Sequence, residues 1–184
     1  MKKVVLVFGV IAGLILAGFV FLIEGLCGDD VISMDYGELI GYTSMAISLS
    51  MIFFGIKSYR DNVGKGKITF WKGIQIGLLI TLISSVFYFG GAVAYNITHP
   101  GFVDKIMAKF AQNQTEKMKL AGKSQEEIDK VVQSAGDMVK LMNNPFIFYA
   151  ICLMELSPVG IIITLLSAAI LRRKDVLPLE PAAA

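Results

Sequence analysis

Charge is scarce in this sequence and is absent from long stretches of it. Only 17% of the 184 residues are Asp, Glu, Lys or Arg, whereas soluble domains carry about 25%. Histidine occurs once, as His99, and cysteine twice, as Cys27 and Cys152. One histidine without a cluster of other ligands does not match the usual metal-binding patterns, so we expect no metal site and no cofactor.

Common catalytic motifs are also missing from the sequence. It contains no Gly-x-Ser-x-Gly, no P-loop, no His-Glu-x-x-His and no dinucleotide-binding fingerprint. These absences argue against an enzyme, although they do not exclude one that works inside a membrane. The net charge of +2 gives no indication of a nucleic-acid partner.

Four stretches are long, apolar and almost uncharged: residues 4–23, 39–56, 73–98 and 145–171. About 20 apolar residues in a helix cross a ~30 Å hydrocarbon core. We therefore predict an all-α integral membrane four-helix bundle, formed by one membrane domain. The second stretch is the shortest and is diluted by serine, so a buried helix of a soluble protein is its alternative. The predicted spans are about 4–23, 39–56, 73–96 and 146–171.

The basic residues predict the orientation of the spans. Lysine and arginine in short loops stay in the cytoplasm, and here they precede span 1, separate spans 2 and 3, and follow span 4. We predict a multi-pass protein of the cell inner membrane with both termini cytoplasmic and the loops 24–38 and 99–144 periplasmic or extracellular. Span 1 is too long for the apolar core of a signal peptide and is expected to stay as an anchor. Residues 175–184 are predicted to be a disordered tail.

The loop of residues 99–144 has the pattern of two amphipathic helices. Apolar residues recur at helical spacing after Gly101 and again after Ser124. Ser124 and Glu127 have the spacing of a capping box, and Ala121 and Gly122 separate the two helices. This predicts an amphipathic helical hairpin insert between spans 3 and 4. Three arrangements stay open: packing on the spans, insertion of its first helix in the outer interface, or a surface for a partner.

Small residues recur at helical spacing along one face of each span. Helices approach closely in lipid where small residues face each other, so each stripe predicts a face that meets a neighbouring helix. A homodimer through span 1 is the alternative use of its stripe. The stripes are Gly9, Gly13 and Ala17 in span 1, Gly41, Ser44, Ser48 and Gly55 in span 2, Gly73, Gly77 and Thr81 in span 3, and Gly160, Thr164 and Ala168 in span 4.

Glu155 is the one charged residue inside the fourth stretch. It lies about 14 Å into the predicted helix, where an unpaired charge costs several kcal/mol. Pro158 lacks an N–H and leaves a carbonyl of the preceding turn without its helical partner, and Ser157 can satisfy the local backbone. Glu155 is therefore either a neutral acid that joins spans through hydrogen bonds or a titrating, ligand-linked group. Its candidate partners at similar depth are Ser48, Ser84, Ser85 and Tyr88.

Two further sets of residues are candidates at the membrane boundaries. Glu24, Glu38 and His99 lie at the predicted outer boundary, where they are ordinary boundary residues or contribute to a cation or proton site with Glu155. Tyr59, Arg60 and Asp61 belong to the predicted cytoplasmic linker. A tight turn that also sets the topology is one interpretation of this linker, and a docking site for a cytoplasmic partner is the other.

Several segments resemble a family of bacterial inner-membrane proteins that is known as a domain of unknown function, found in Bacteroidota and some Proteobacteria. The resemblance rests on residues 38–45, 53–61, 66–70 and on the Glu-x-x-Pro-x-Gly unit at 155–160, and it covers nearly the whole chain. It implies four spans with an extended insert between the third and the fourth. It implies no activity.

Three functional hypotheses follow from these features. The first is a non-enzymatic structural or interaction module of the inner membrane. The second is a small proton- or solute-linked carrier that uses Glu155, and the third is an intramembrane enzyme that acts on lipid. Membrane lipids are the expected partners, and the sequence leaves a homo-oligomer or a second membrane protein open.

Overall fold

The structure, a computed structural model, describes residues 1–28 and 34–172. Within these ranges the chain is mainly helical and contains no strand. Residues 175–184, the predicted tail, lie outside the described residues. The helices are α1 (Lys2–Gly28), α2 (Met34–Leu49), α3 (Met51–Asn62), α4 (Phe70–Thr98), α5 (Phe102–Leu120), α6 (Gln125–Met142) and α7 (Pro145–Leu171).

Four helical segments are long and apolar enough to cross a membrane, which confirms the all-α membrane bundle. They are Lys2–Leu22, Leu39–Asn62, Phe70–Thr98 and Pro145–Leu171. The second combines α2 and α3, which are separated only by Ser50. It continues to Asn62 rather than ending near residue 56, because the charged groups of its last turn pair with each other.

The loop helices begin and end where the sequence indicates. Ser124 caps α6 by accepting a hydrogen bond from the Glu127 amide, and Glu127 completes the capping box. The hydrogen bond from Lys123 holds the pKa of Glu127 below its usual range. Asn144 caps α7, with Pro145 in its first turn. Helices α5 and α6 pack on each other as the predicted hairpin.

The two ends of the bundle carry different parts of the chain. The hairpin end carries α5 and α6, and the turn end carries residues 63–69, which connect α3 to α4. Helix α4 is central, since its main contacts are with α1 on one side and α7 on the other.

Helices α1 and α4 approach each other through the glycine stripe of α1. Gly9 lies against Ile83, and Gly13 lies against Phe87, so the two helices run parallel. A methyl group at Gly13 would come within 2.6 Å of the Phe87 Cβ. The Ser84 hydroxyl donates to the Gly9 carbonyl at 3.1 Å. The stripe of span 1 is thus covered by α4 of the same chain, rather than left facing a second copy.

Helices α4 and α7 pack through an antiparallel exchange of glycine and threonine. Gly77 of α4 faces Thr164 of α7, and one turn closer to the hairpin end Thr81 of α4 faces Gly160 of α7. A methyl group at Gly160 would come within 2.7 Å of the Thr81 side chain. The predicted small-residue faces of the third and fourth spans are therefore confirmed, and they meet each other.

The apolar core lies beside these seams and is filled by side chains from every span. Its members are fully or almost fully buried, and they extend from the turn end past the level of Leu156. The core consists of Val5, Leu16, Met45, Leu49, Ile52, Ile56, Ile76, Ile80, Leu156 and Leu171.

Gly77→Ala tests the α4–α7 seam with a single methyl group. Because that methyl would overlap Thr164, we expect the free energy of unfolding to fall by roughly 1–3 kcal/mol. Gly90→Ala is the matched control, since nothing lies within 4 Å of its added methyl and alanine favours helix. Thermal unfolding in one detergent measures both variants.

A compensating change completes this test. Adding Thr164→Gly to Gly77→Ala removes the overlapping side chain and should recover part of the lost stability. Equal melting temperatures for Gly77→Ala and Gly90→Ala would contradict the close approach of α4 and α7.

Candidate functional site

Glu155 and Tyr88 meet where the α4–α7 seam reaches the hairpin end. The Tyr88 hydroxyl of α4 donates a hydrogen bond to Glu155 Oε2 of α7, with 3.0 Å between the oxygens. The contact follows the register set by Thr81 and Gly160, two turns nearer the turn end. Tyr88 is thus the one predicted partner that the fold brings to the carboxyl.

Large aromatic side chains replace small ones along this part of the seam. The hydroxyls of Ser85 and Tyr149 are 3.0 Å apart. Phe89 packs edge-on against Phe148 and Tyr149, with ring centroids 5.4 and 5.5 Å apart. These contacts are made by large side chains, in contrast to the glycine and threonine contacts nearer the turn end.

A pocket of about 180 Å³ opens at this level between α4, α5 and α7. Glu155 keeps accessible surface although it lies in an apolar span, and it forms part of the pocket wall. The remaining wall is almost wholly apolar or aromatic. The lining residues are Tyr88, Ala92, Phe102, Val103, Ile106, Met107, Met142, Phe148, Ile151, Cys152 and Glu155.

Helix α5 forms the side of the pocket that faces the hairpin. Gly101 has a positive φ of 80°, which turns the chain after α4 so that α5 folds back towards the spans. Phe102 is then buried against Tyr95, with ring centroids 4.7 Å apart. This contact and the packing of Ile106 nearby hold the start of α5 against the bundle.

His99 does not line the pocket. Its ring stacks on Tyr95 with centroids 4.2 Å apart, and its Nδ1 lies 3.0 Å from the Thr98 hydroxyl. His99 therefore supports the turn between α4 and α5. The side chains of Glu24 and Glu38, the other outer-boundary candidates, lie outside the described residues.

None of the predicted serine partners bonds to Glu155, and this part of the prediction is wrong. Ser84 bonds to the Gly9 carbonyl, and Ser85 bonds to the Leu82 carbonyl and Tyr149. Ser48 is buried with no hydrogen-bond partner among the described residues. Similar depth in the membrane placed these serines near Glu155, but each points around its helix in another direction.

Pro158 and Ser157 affect the helix rather than the pocket. Pro158 is exposed within α7, which continues through it to Leu171. The Ser157 hydroxyl donates to the Leu153 carbonyl at 2.6 Å, whereas the carbonyl that Pro158 leaves without its helical partner is that of Met154. Ser157 therefore does not satisfy the carbonyl that was expected to need it. Neither residue lines the pocket.

The turn end carries a compact charged cluster. Asp61 accepts hydrogen bonds from Arg60 Nε at 2.7 Å and from Lys57 Nζ at 2.9 Å. Arg60 is 2% exposed, and its carbonyl accepts from the Gly66 amide. Tyr59 packs on the apolar core. Arg60 and Asp61 pair with each other, and the cluster fixes the turn that leads into α4.

Metal ligands are not gathered in the described ranges. No group of three or more His, Cys, Asp or Glu side chains there could hold a metal ion. Among the described residues the chemistry available at the pocket is therefore that of one carboxyl, one phenol, the Cys152 thiol and an otherwise apolar wall. Such a set can bind and orient a small molecule through one polar contact.

The sequence did not reveal the part of the pocket that α5 and α6 supply. Phe102, Val103, Ile106 and Met107 were expected on the apolar face of a helix, and this face is what covers the pocket. Its amphipathic pattern was the available signal. The pattern does not indicate where α5 packs on the spans.

The chain belongs to the family described as "Protein of unknown function (DUF4199)", which matches residues 7–173. The resemblance to a family of unknown function is thereby confirmed. Comparison with curated proteins and with solved structures gave no match in either.

Proposed function

We propose that this protein is a non-enzymatic interaction module of the cell inner membrane. In this proposal the four spans form a fixed scaffold, and the α5–α6 hairpin is the part that binds a partner protein. The observation that carries the proposal is an apolar groove along the seam between α5 and α6.

The groove has a volume of about 350 Å³ and is formed by both helices of the hairpin. Most of its lining is apolar, and Gln114, Lys130 and Ser134 contribute the polar side chains. Grooves of this kind accept the apolar face of a partner helix. The lining residues are Met107, Phe110, Gln114, Lys130, Val131, Ser134, Ala135 and Met138.

The packing of the spans supports the proposal that they form a fixed scaffold. Close contacts along both sides of α4 leave no room for a methyl group at Gly13 or Gly77. Such interfaces are intolerant of shifts, because each side chain fits against a backbone. The hairpin is anchored to this scaffold through Phe102 and Tyr95, so its groove has a fixed position relative to the membrane.

The proposed orientation places the groove outside the cytoplasm. Basic residues flank the turn end of the bundle, at the start of α1, between α3 and α4, and after α7. By the preference of such residues for the cytoplasm, both termini are cytoplasmic and the α5–α6 hairpin faces the periplasm or the cell exterior.

A second candidate function is a small proton- or solute-linked carrier that uses Glu155. The observation that favours it is the position of the carboxyl in the wall of a pocket, with surface accessible to small molecules. Among the described residues no other acidic or basic side chain lines this pocket.

Alkaline phosphatase fusions test the orientation. Phosphatase inserted at the hairpin tip, between Ala121 and Gly122, should be active because it folds outside the cytoplasm. Phosphatase fused to the C-terminus should be inactive. The reverse pattern of activity would contradict the orientation.

Photo-crosslinking tests whether a partner protein binds in the groove between α5 and α6. With p-benzoylphenylalanine at Met138, in the groove, we expect a defined protein adduct in whole cells, because the partner lies there. Gln133 is exposed on another face of α6 and should give no such adduct. Ala135→Phe fills the groove and should remove the adduct at Met138. Equal adducts at Met138 and Gln133 would exclude the groove as the binding surface.

Glu155→Gln separates the module from the carrier. Glutamine still accepts the Tyr88 hydrogen bond but does not titrate, so we expect wild-type stability and unchanged proton flux into proteoliposomes under an imposed pH gradient. Glu155→Leu removes the acceptor and should cost about 1 kcal/mol of stability. Slower proton flux for Glu155→Gln than for wild type would favour the carrier instead.

A further inference from the structure

The described wall of the Glu155 pocket favours positive charge. Among the residues that the structure describes, the Glu155 carboxyl is accompanied by the rings of Tyr88, Phe102 and Phe148, and no lysine, arginine or histidine lines the pocket. Aromatic faces carry a negative quadrupole and attract organic cations, most strongly where water is excluded. Carboxyl and rings therefore favour the same kind of ligand group, a positively charged one.

The carboxyl is also positioned to accept a further hydrogen bond. Tyr88 donates to Oε2, and no described residue donates to the other oxygen of Glu155. The phenol therefore fixes the carboxyl while one oxygen stays available to a ligand N–H. A carboxyl in an apolar region is costly when charged and unpaired, so a bound cation would relieve that cost.

An amine satisfies this site whichever partner holds the proton. If the carboxyl is ionised, a protonated amine neutralises it, and if the carboxyl is neutral, it can transfer its proton to a bound amine. Either state ends as an ammonium–carboxylate pair inside an apolar wall. A neutral alcohol can only exchange a hydrogen bond, which is the weaker interaction.

The size of the pocket limits the ligand. Its volume of about 180 Å³ is smaller than that of pockets that take drug-sized ligands, about 300–1,000 Å³. A single aliphatic ring or short chain with one amino group fits. An aminophospholipid head group fits poorly, because its phosphate would enter the apolar wall beside Glu155 and be repelled by it.

We propose that this pocket is a binding site for a small lipophilic amine, with the ammonium group at Glu155 and the apolar body between α5 and the spans. The site is distinct from the groove between α5 and α6, although Met107 lines both. The proposal does not depend on the partner-binding function of the hairpin.

Ligand-observed fluorine NMR on the purified full chain in dodecyl maltoside tests the site. The probes are 4,4-difluorocyclohexylamine and its near-isosteric alcohol, 4,4-difluorocyclohexanol. We expect the amine to bind roughly tenfold or more tightly than the alcohol. Equal affinity of the two probes for the wild-type protein would overturn the proposal without any variant.

Variants then locate the binding. Glu155→Gln should weaken amine binding roughly tenfold or more and leave alcohol binding unchanged. Glu116→Gln removes an exposed acid of α5 and should leave both affinities unchanged. Ala92→Leu fills the pocket without touching the carboxyl and should abolish binding of both probes.

Three outcomes would count against the site. Amine binding that survives Glu155→Gln, or that survives Ala92→Leu, would place the ligand elsewhere. Displacement of the amine by phosphatidylethanolamine at equal concentration would assign the pocket to a lipid head group and overturn the assignment to a free amine. The crosslinking at Met138 is a separate measurement, so failure of either proposal leaves the other one intact.

Discussion

The close approach of α4 to its neighbours is the constraint on which the rest of this structure depends. In lipid the apolar surfaces of helices gain little by meeting each other, so association relies on contacts between closely packed backbones. Gly13 admits Phe87 on one side of α4, and Gly77 admits Thr164 on the other. A helix confined on both sides in this way has only one register with each neighbour. The same register determines which polar side chains meet further along the seam.

The register explains why an acid and a phenol meet inside an apolar span. Beyond the contact between Thr81 and Gly160, the α4–α7 seam continues for two turns until Tyr88 reaches Glu155. Aromatic side chains occupy the same stretch, and the pocket lies beside it between α4, α5 and α7. The carboxyl thus has both a partner and an accessible surface at the level where small residues give way to large ones.

Much of this arrangement could be predicted because it is local. Runs without charge predicted the four spans, and the spacing of Ser124 and Glu127 predicted the start of α6. The pairing of faces could not be predicted, since a small-residue stripe indicates that a neighbour exists but not which one. The assignment of Ser84 to Glu155 failed for this reason: depth follows from residue number, whereas direction around the helix axis depends on the neighbour. The position of α5 over the pocket is likewise a long-range contact that its amphipathic pattern does not encode.

The same constraint bears on the choice between a module and a carrier. Glu155 lies on the hairpin side of the tight contacts, while Leu156, Ile80 and Ile76 fill the bundle between it and the turn end. Alternating access would have to open this filled part by parting α4 from α7. That movement would separate Gly77 from its partner, and so break the contact that fixes the register of Glu155 itself. A pocket bounded by α4, α5 and α7 on the hairpin side of the tight contacts is sufficient for a binding site, and it leaves the seam intact.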